Sequence, residues 1–301
     1  MKPRQVGTRG PTLALLAITA IWGSTFIVVK DAIARMPVTD FLTWRFALAA
    51  AAMLLVRPTA LVTLGPRGRR IGVVLGLALG SGYLLQTVGL QSTSALVSGF
   101  LTGMFVVFTP LCAAVLLRER PGRAVWAAVV LATVGLALLS LNGVTIEGGE
   151  LLTLGCAVAF ARHIVGLGRW ASSYQPYGLA VVQLLTTGAL CAVVAVPGGL
   201  AVPPDAGVWG ALALTSIAAT AVAFVVQTWA QAHLAPTKAA VVMSMEPVFS
   251  GLCAVGIAHE VFTLRMLIGA LLVLAAMLLT ELGPSRGPAT EHLGDVARLE
   301  V

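Results

Sequence analysis

Apolar runs of about 20 residues dominate this sequence, the length a helix needs to cross the hydrocarbon of a bilayer. Ten stand out: 12–30, 39–57, 71–91, 95–117, 124–142, 150–168, 177–197, 207–229, 236–258 and 264–282. Turn residues separate them, among them Pro37, Pro58, Gly65-Pro66, Pro121-Gly122, Gly148-Gly149, Pro176 and Pro236. Lipid offers no partner to a backbone N–H or C=O, so such runs fold as helices. The expected fold class is an all-α polytopic membrane protein with ten transmembrane helices. Composition agrees: 58% of the 301 residues are hydrophobic and 10% charged, against about 25% charged in soluble domains. The opening "MKPRQVGTRG" before an apolar run resembles a signal peptide. The apolar segments that follow make an uncleaved first helix the expected reading.

A net charge of +7 would point to nucleic acid in a soluble protein. Here the basic residues sit in short loops, and no nucleic-acid partner is expected. With the N-terminus inside, fourteen Lys and Arg fall on the inner side and four, Lys30, Arg35, Arg45 and Arg265, on the outer side. Arg162 lies within a span. This asymmetry orients both termini to the cytoplasm. Arginine outnumbers lysine, in keeping with a GC-rich bacterial genome, so the expected location is a bacterial inner membrane. Cys112, Cys156, Cys191 and Cys253 all lie in apolar runs without a CxxC or Cys/His spacing. They read as small core residues, and neither metal nor cofactor is expected.

Shifting the chain by 141 residues superposes its halves. Gln86-Thr87 recurs as Gln227-Thr228, and "VVFTPLCAAVLLRE" from Val106 faces "PVFSGLCAVGIAHE" from Pro247. Phe108/Phe249, Cys112/Cys253 and Glu119/Glu260 are identical pairs at that offset. With an odd number of spans in each half, the second copy enters the membrane inverted, an architecture that recurs in secondary transporters. The expected layout is a cytoplasmic N-terminus at 1–11, a five-helix repeat at 12–142, an inverted repeat at 150–282 and a cytoplasmic tail at 283–301.

Five stretches carry a resemblance: "AIWGSTFIVVKDAI" from Ala20, "FLTWRFALAA" from Phe41, "SALVSGFLTGMFVVFTPLCAAVLLRERP" from Ser94, "AFARHIVGLGRWA" from Ala159 and "SMEPVFSGLCAVGIAHE" from Ser244. In order and spacing they resemble the EamA-type branch of the drug/metabolite transporter superfamily over roughly residues 12–282. The resemblance implies a ten-helix carrier of the inner membrane, often an exporter of amino acids, other metabolites or toxic compounds. Arg162 departs from the family's usual uncharged residue there. Phe105-Val106 stands where the second repeat has Glu246-Pro247.

Glu246 sits near the middle of its apolar run, about 15–18 Å from either end by helix rise. An ionised acid there costs on the order of 3 kcal/mol or more. It therefore faces a wet cavity, finds a partner or carries a proton. The alternatives are substrate binding, proton coupling, or a neutral acid bonded to a neighbouring helix. Pro247 deprives the carbonyl of Met243 of its helical donor, which kinks the helix beside Glu246, either as a hinge or as a tolerated bend. Gln86 and Gln227 either contact substrate from both halves or join helices. Tyr83 and Phe224 each share a face with the glutamine one turn on, as a cavity wall or as core. Trp22 and Ser24, in "WGSTF", are candidates for the site or for close helix packing. Arg162 snorkels or serves as the positive partner of Glu246. His163 carries a proton or packs as a hydrogen-bonding residue. Lys30 and Arg45 read as anchors near Asp31 and Asp40, or as a gate ion pair. Glu119 and Glu260 read as helix-end residues.

The function expected is secondary active transport of a small organic solute by alternating access, with export the expected direction and a proton as the coupling ion. A passive channel or facilitator is the second reading, although no TVGYG-like filter is present. A membrane enzyme is the third, and His259-Glu260 lacks the second histidine of HExxH. The partners expected are a small-molecule substrate, the lipid bilayer and a coupling proton, with the chain a monomer or homodimer. The apolar runs 124–142 and 264–282 are expected to face lipid or a second subunit.

Overall fold

The computed structural model describes residues 8–93, 95–118, 121–140, 148–258 and 263–282. Within these residues the chain is all-helical. The first part comprises α1 (Arg9–Ile33), α2 (Val38–Val56), α3 (Ala60–Ser92), α4 (Ala95–Gly103), α5 (Phe105–Leu116) and α6 (Arg123–Ser140). The second comprises α7 (Gly148–Trp170), α8 (Pro176–Ala195), α9 (Ala206–Ser216), α10 (Ala223–Gln231), α11 (Pro236–Met243), α12 (Glu246–Ala258) and α13 (Leu264–Leu282). A π-helical stretch, Ile217–Val222, joins α9 to α10 without a break. Among the described residues six helices are long and apolar enough to cross a membrane: Arg9–Ile33, Val38–Val56, Ala60–Ser92, Gly148–Ser173, Pro176–Gly198 and Ala206–Gln231.

Local chemistry sets the ends. Pro37 caps α2, and Pro176 and Pro236 open α8 and α11, where a missing N–H leaves no bond unmade. Asp205 caps α9 by accepting from the Val208 amide at 2.9 Å. The basic stretch around Arg67, Arg69 and Arg70, read from sequence as a loop, is instead the early part of α3, bent at Gly65 (φ 74°) before Pro66. A positive φ is open to glycine without a Cβ clash.

Two runs read as single spans are each broken. The run 95–117 divides at Met104 into α4 and α5, and 236–258 divides at Ser244-Met245 into α11 and α12. At the 141-residue offset Met104 faces Met245, so both breaks fall at one position of the repeat. In the second half the cause is visible. Pro247 cannot donate to the Met243 carbonyl, and the Ser244 amide turns inward to the carbonyls of Ala240 and Val241 at 3.0 and 3.2 Å. Pro247 then occupies the first turn of α12, where no donor is needed. The break is covered by protein, residues 241–248 all being buried. That cover is what irregular backbone at membrane depth requires.

Helix α3 lies against α7 and α8, and α6 against α13. In that last pair a Cβ on Gly135 would meet the Gly269 carbonyl at 2.7 Å. Outward from it Trp126, Val130, Leu267 and Leu271 are exposed. One core cluster surrounds the α11–α12 break, with Val106, Val241 and Met245. A second joins α2, α3 and α8 through Phe41, Phe46 and Leu184. Glu119, His259 and Glu260 lie outside the described residues.

Candidate functional site

Between the two broken helices and α1, α2, α3, α7 and α10 lies a cavity of about 70 Å³. That is room for roughly five water molecules. Phe105 and Glu246, the first residues of α5 and α12, both line it. The two breaks thus bring equivalent helix starts to one wall, a phenyl ring from one half and a carboxyl from the other. The amide end of α12 is a favourable place for negative charge.

Glu246 is 9% exposed. Among the described residues its carboxyl group accepts no hydrogen bond and closes no ion pair; the ion pairs there join Arg35 to Asp31 and Asp205. Its backbone is clamped from α1, because a Cβ on Gly23 would lie 2.5 Å from the Glu246 carbonyl oxygen. Only a glycine lets the two helices come this close, which gives the "WGSTF" stretch a packing role beside the acid.

Arg45 is the residue sequence reasoning placed wrongly. Read as an outer anchor, it is 4% exposed and lines the cavity. It lies two turns inside α2, about 10 Å from the helix start by rise, a depth that could have signalled it. Nε donates to Thr220 Oγ1 at 2.8 Å, and Nη2 reaches the Tyr83 hydroxyl and the Ala219 carbonyl, each at 3.4 Å. The guanidinium carbon stands 4.9 Å from the centre of the Tyr83 ring, within cation–π range. Thr220 and Ala219 belong to the π-helical stretch, where widened hydrogen bonding frees carbonyls for side chains. Trp22 Nε1 donates to the same Ala219 carbonyl at 2.8 Å.

The remaining candidates divide. Trp22, Tyr83, Phe224, Gln86, Gln227 and His163 all line the cavity, as does Met243. The rings meet in a chain, Trp22 to Phe224 at 5.6 Å, Phe224 to Tyr83 at 6.2 Å and Tyr83 to Phe160 at 5.4 Å. Gln86 donates to Thr102 Oγ1 at 3.0 Å, and Gln227 reaches Met243 Sδ at 3.7 Å. Both contacts span 16 residues, so each glutamine touches the short helix of its own half at the same register. Gln227 also donates to Gln231, which donates to the Ile164 carbonyl at 3.0 Å. His163 Nε2 is 2.6 Å from Gln183 Oε1. Ser24, Pro247 and Arg162 do not line the cavity. Ser24 bonds the Ile21 carbonyl of its own helix, Pro247 is buried in the first turn of α12, and Arg162 is exposed. The positive group that shares a cavity with Glu246 is Arg45, not Arg162.

At one end of the bundle the α1–α2 and α8–α9 connections are tied together. Arg35 pairs with Asp31 and, through Nη1 at 2.8 Å, with Asp205. Asp40 accepts from the Ala201 amide at 3.0 Å, and Lys30 donates to the Thr93 carbonyl. Lys30 and Arg45 therefore form no gate pair with Asp31 and Asp40. The Asp205 carboxyl is held below the ordinary carboxylate range, first by the Val208 amide and then by Arg35.

The EamA-like transporter family model matches the chain twice, over residues 9–141 and 147–282. The chain belongs to the EamA-like transporter family. It is 33% identical over 271 residues to an uncharacterized transporter of Archaeoglobus fulgidus, covering 90% of this chain and 85% of the relative. It is 24% identical to the uncharacterized transporter YyaM of Bacillus subtilis, covering 88% and 92%. A solved crystal structure shares the fold with a TM-score of 0.76 at 20% identity, covering 91% of this chain and 98% of the other. As an EamA-like protein the chain is embedded in a membrane through several spans, in keeping with its apolar helices.

Proposed function

We propose that this EamA-like protein is a secondary transporter. It moves a small organic solute across the inner membrane of a bacterium, most simply outward, with both termini in the cytoplasm. Its spans form two inverted repeats that exchange conformations around the cavity. The observation that carries this reading is the placement of the two equivalent helix breaks at one mostly apolar cavity that holds a few polar side chains. Discontinuous helices meeting at a mid-membrane site are a recurring arrangement in transporters with internal repeats. A permanently open pathway, as in a channel, fits poorly with a small site whose wall is largely packed aromatic and aliphatic side chains.

Glu246 is proposed as the group that couples transport to a proton. It is an acid without a hydrogen-bond donor among the described residues, in a cavity it shares with a solute. Cells with and without the chain, exposed to a panel of metabolites and toxic compounds, identify a transported solute as one whose accumulation falls when the chain is present. Proteoliposomes then measure that solute with and without a pH gradient. Transport driven by the gradient and made indifferent to it by Glu246→Gln supports coupling. Transport equal with and without the gradient removes coupling, and ion currents without saturable counterflow would replace the carrier reading with a channel.

A further inference from the structure

Helix α3 carries its charge at one end. Arg67, Arg69 and Arg70 follow the Gly65 bend, and all three are exposed. Their guanidinium groups close no ion pair with a described residue, since the ion pairs there join Arg35 to Asp31 and Asp205. The described acids outside the cavity lie toward the other end of α3. There Lys30 reaches the Thr93 carbonyl, the α1–α2 connection ties to Asp205 and Asp40, and the start of α7, with Glu150, packs on Ser92. The arginine end of α3 is thus a positive patch with no carboxylate of its own among the described residues.

The patch continues into an apolar face. Pro66, Arg69, Arg70, Val73 and Val74 line one shallow, open groove. At helical spacing each arginine stands one turn before a valine, Arg69 before Val73 and Arg70 before Val74. Leu77 extends the same face by another turn. Val73, Val74 and Leu77 are 41%, 55% and 47% exposed. The aromatic residues nearby fix the depth of the groove. A Cβ on Gly68 would lie 2.9 Å from the Tyr174 ring, in the connection between α7 and α8. Trp170 stands in the same region, with the Arg169 guanidinium 5.8 Å from the centre of its ring. Tryptophan and tyrosine gather at the level of lipid headgroups. Arg69 and Arg70 therefore sit at headgroup level, and Val73 to Leu77 reach about 10 Å further along the helix, into the hydrocarbon.

We propose that this groove docks one anionic phospholipid of the surrounding bilayer, such as phosphatidylglycerol. Arg69 and Arg70 hold the phosphodiester through charge-assisted hydrogen bonds, and an acyl chain lies over Val73, Val74 and Leu77. Pro66 restarts the helix after the bend, so the positive end of the helix dipole opens on the same groove. Charge alone would suit any anion. The lipid is singled out because the charged and apolar parts are continuous on one face, at the depths where a phospholipid carries its phosphate and its chains. A soluble anion would use the arginines and leave the valines unused. The inference needs only a membrane-embedded chain, and it stands whatever solute the cavity carries.

The test uses the full chain, delipidated in detergent and titrated with dioleoylphosphatidylglycerol or dioleoylphosphatidylcholine. Bound lipid is counted by native mass spectrometry. The expected result is one phosphatidylglycerol held at least about tenfold tighter than phosphatidylcholine, a factor within reach of two arginines at the membrane surface. The double variant Arg69→Gln/Arg70→Gln should lose that preference. Arg57→Gln, at the same end of the bundle but outside the groove, should keep it. Arg69→Lys/Arg70→Lys keeps the charge without the fork and should retain part of it. Each single Gln variant should also lose part, so the test does not depend on the double variant folding. Glycerol 3-phosphate, which has the headgroup chemistry without the chains, should not displace the lipid even in large excess. Displacement by glycerol 3-phosphate would make the groove a site for a soluble anion and overturn the proposal. Equal retention of the two lipids would overturn it too, as would single Gln variants that both keep the parent's preference in full.

Discussion

The Arg45 guanidinium carbon lies 4.9 Å from the centre of the Tyr83 ring, and Arg45 Nη2 lies 3.4 Å from the Tyr83 hydroxyl. The two contacts are separable. At 3.4 Å the hydrogen bond is long and weak, whereas a buried guanidinium over an aromatic face is stabilised by about 2 kcal/mol. Tyr83→Phe should leave thermal stability within about 1 kcal/mol of the parent. Tyr83→Leu should cost about 2–4 kcal/mol, because it also removes the edge contacts to Phe46 and Phe160 and leaves a cavity. Unfolding of the two purified variants in one detergent compares them directly. Equal losses would mean that the hydroxyl, not the ring, holds Arg45.

Gly23 gives a sharper steric prediction. A Cβ there would meet the Glu246 carbonyl at 2.5 Å and the Ser250 amide nitrogen at 2.9 Å. Both are backbone atoms that cannot rotate away. Gly23→Ala should therefore push α1 from α12 and destabilise by about 1–3 kcal/mol. Gly251→Ala, on α12 itself, meets nothing within 4 Å and should be neutral or stabilising by up to about 1 kcal/mol from helix propensity. Thermal unfolding of the pair decides. A harmless Gly23→Ala would show that the two helices are not in contact at this point.

Hydropathy made most of the helical layout legible, because a long apolar run in this setting has few folds open to it. It did not by itself show the breaks at Met104 and at Ser244-Met245, although Pro247 signalled a kink at the second. Periodicity and hydropathy run through both, and in the first half no proline stands at the position of Pro247. Of the site, Glu246, Gln86, Gln227 and their aromatic neighbours were legible as polar or bulky groups near mid-span, and the cavity gathers them. Arg45 was not. Its depth along α2 was the one local sign, and what holds it, Thr220 and the Ala219 carbonyl, is 175 and 174 residues away. Arg162 was open to two readings, a snorkelling side chain or a partner of Glu246; it is exposed on α7, and that face is set by tertiary packing, which the sequence does not display.

The π-helical stretch supports two side chains at once, so Trp22 and Arg45 are coupled through the Ala219 carbonyl. Trp22→Phe keeps a ring against Phe224 and removes the 2.8 Å bond. Its expected cost is about 0.5–1.5 kcal/mol, softened because Arg45 Nη2 remains near the freed carbonyl. A double-mutant cycle with Thr220→Val, which removes the acceptor of Arg45 Nε, should give a coupling energy of about 0.5 kcal/mol or more. Strict additivity would show that the two side chains are held independently.

Asp205 links pH to the end of the bundle where the α1–α2 and α8–α9 connections are tied together. Its carboxyl is held below the ordinary range by the Val208 amide and Arg35, so the folded state favours the charged form. A group with a depressed folded value stabilises fully above its unfolded value, about 3.9, and loses that contribution as pH falls through the lower folded value. The stability difference between the parent and Asp205→Asn should accordingly be flat from pH 8 to pH 5. It should shrink only once the medium is more acidic than about pH 4. Added salt should reduce the part that comes from Arg35, since that pair is exposed and screened, and leave the cap to Val208 largely intact. Thermal unfolding of both proteins across pH and at two salt concentrations measures each part. A difference that already declines between pH 7 and pH 5 would assign the pH response to another group.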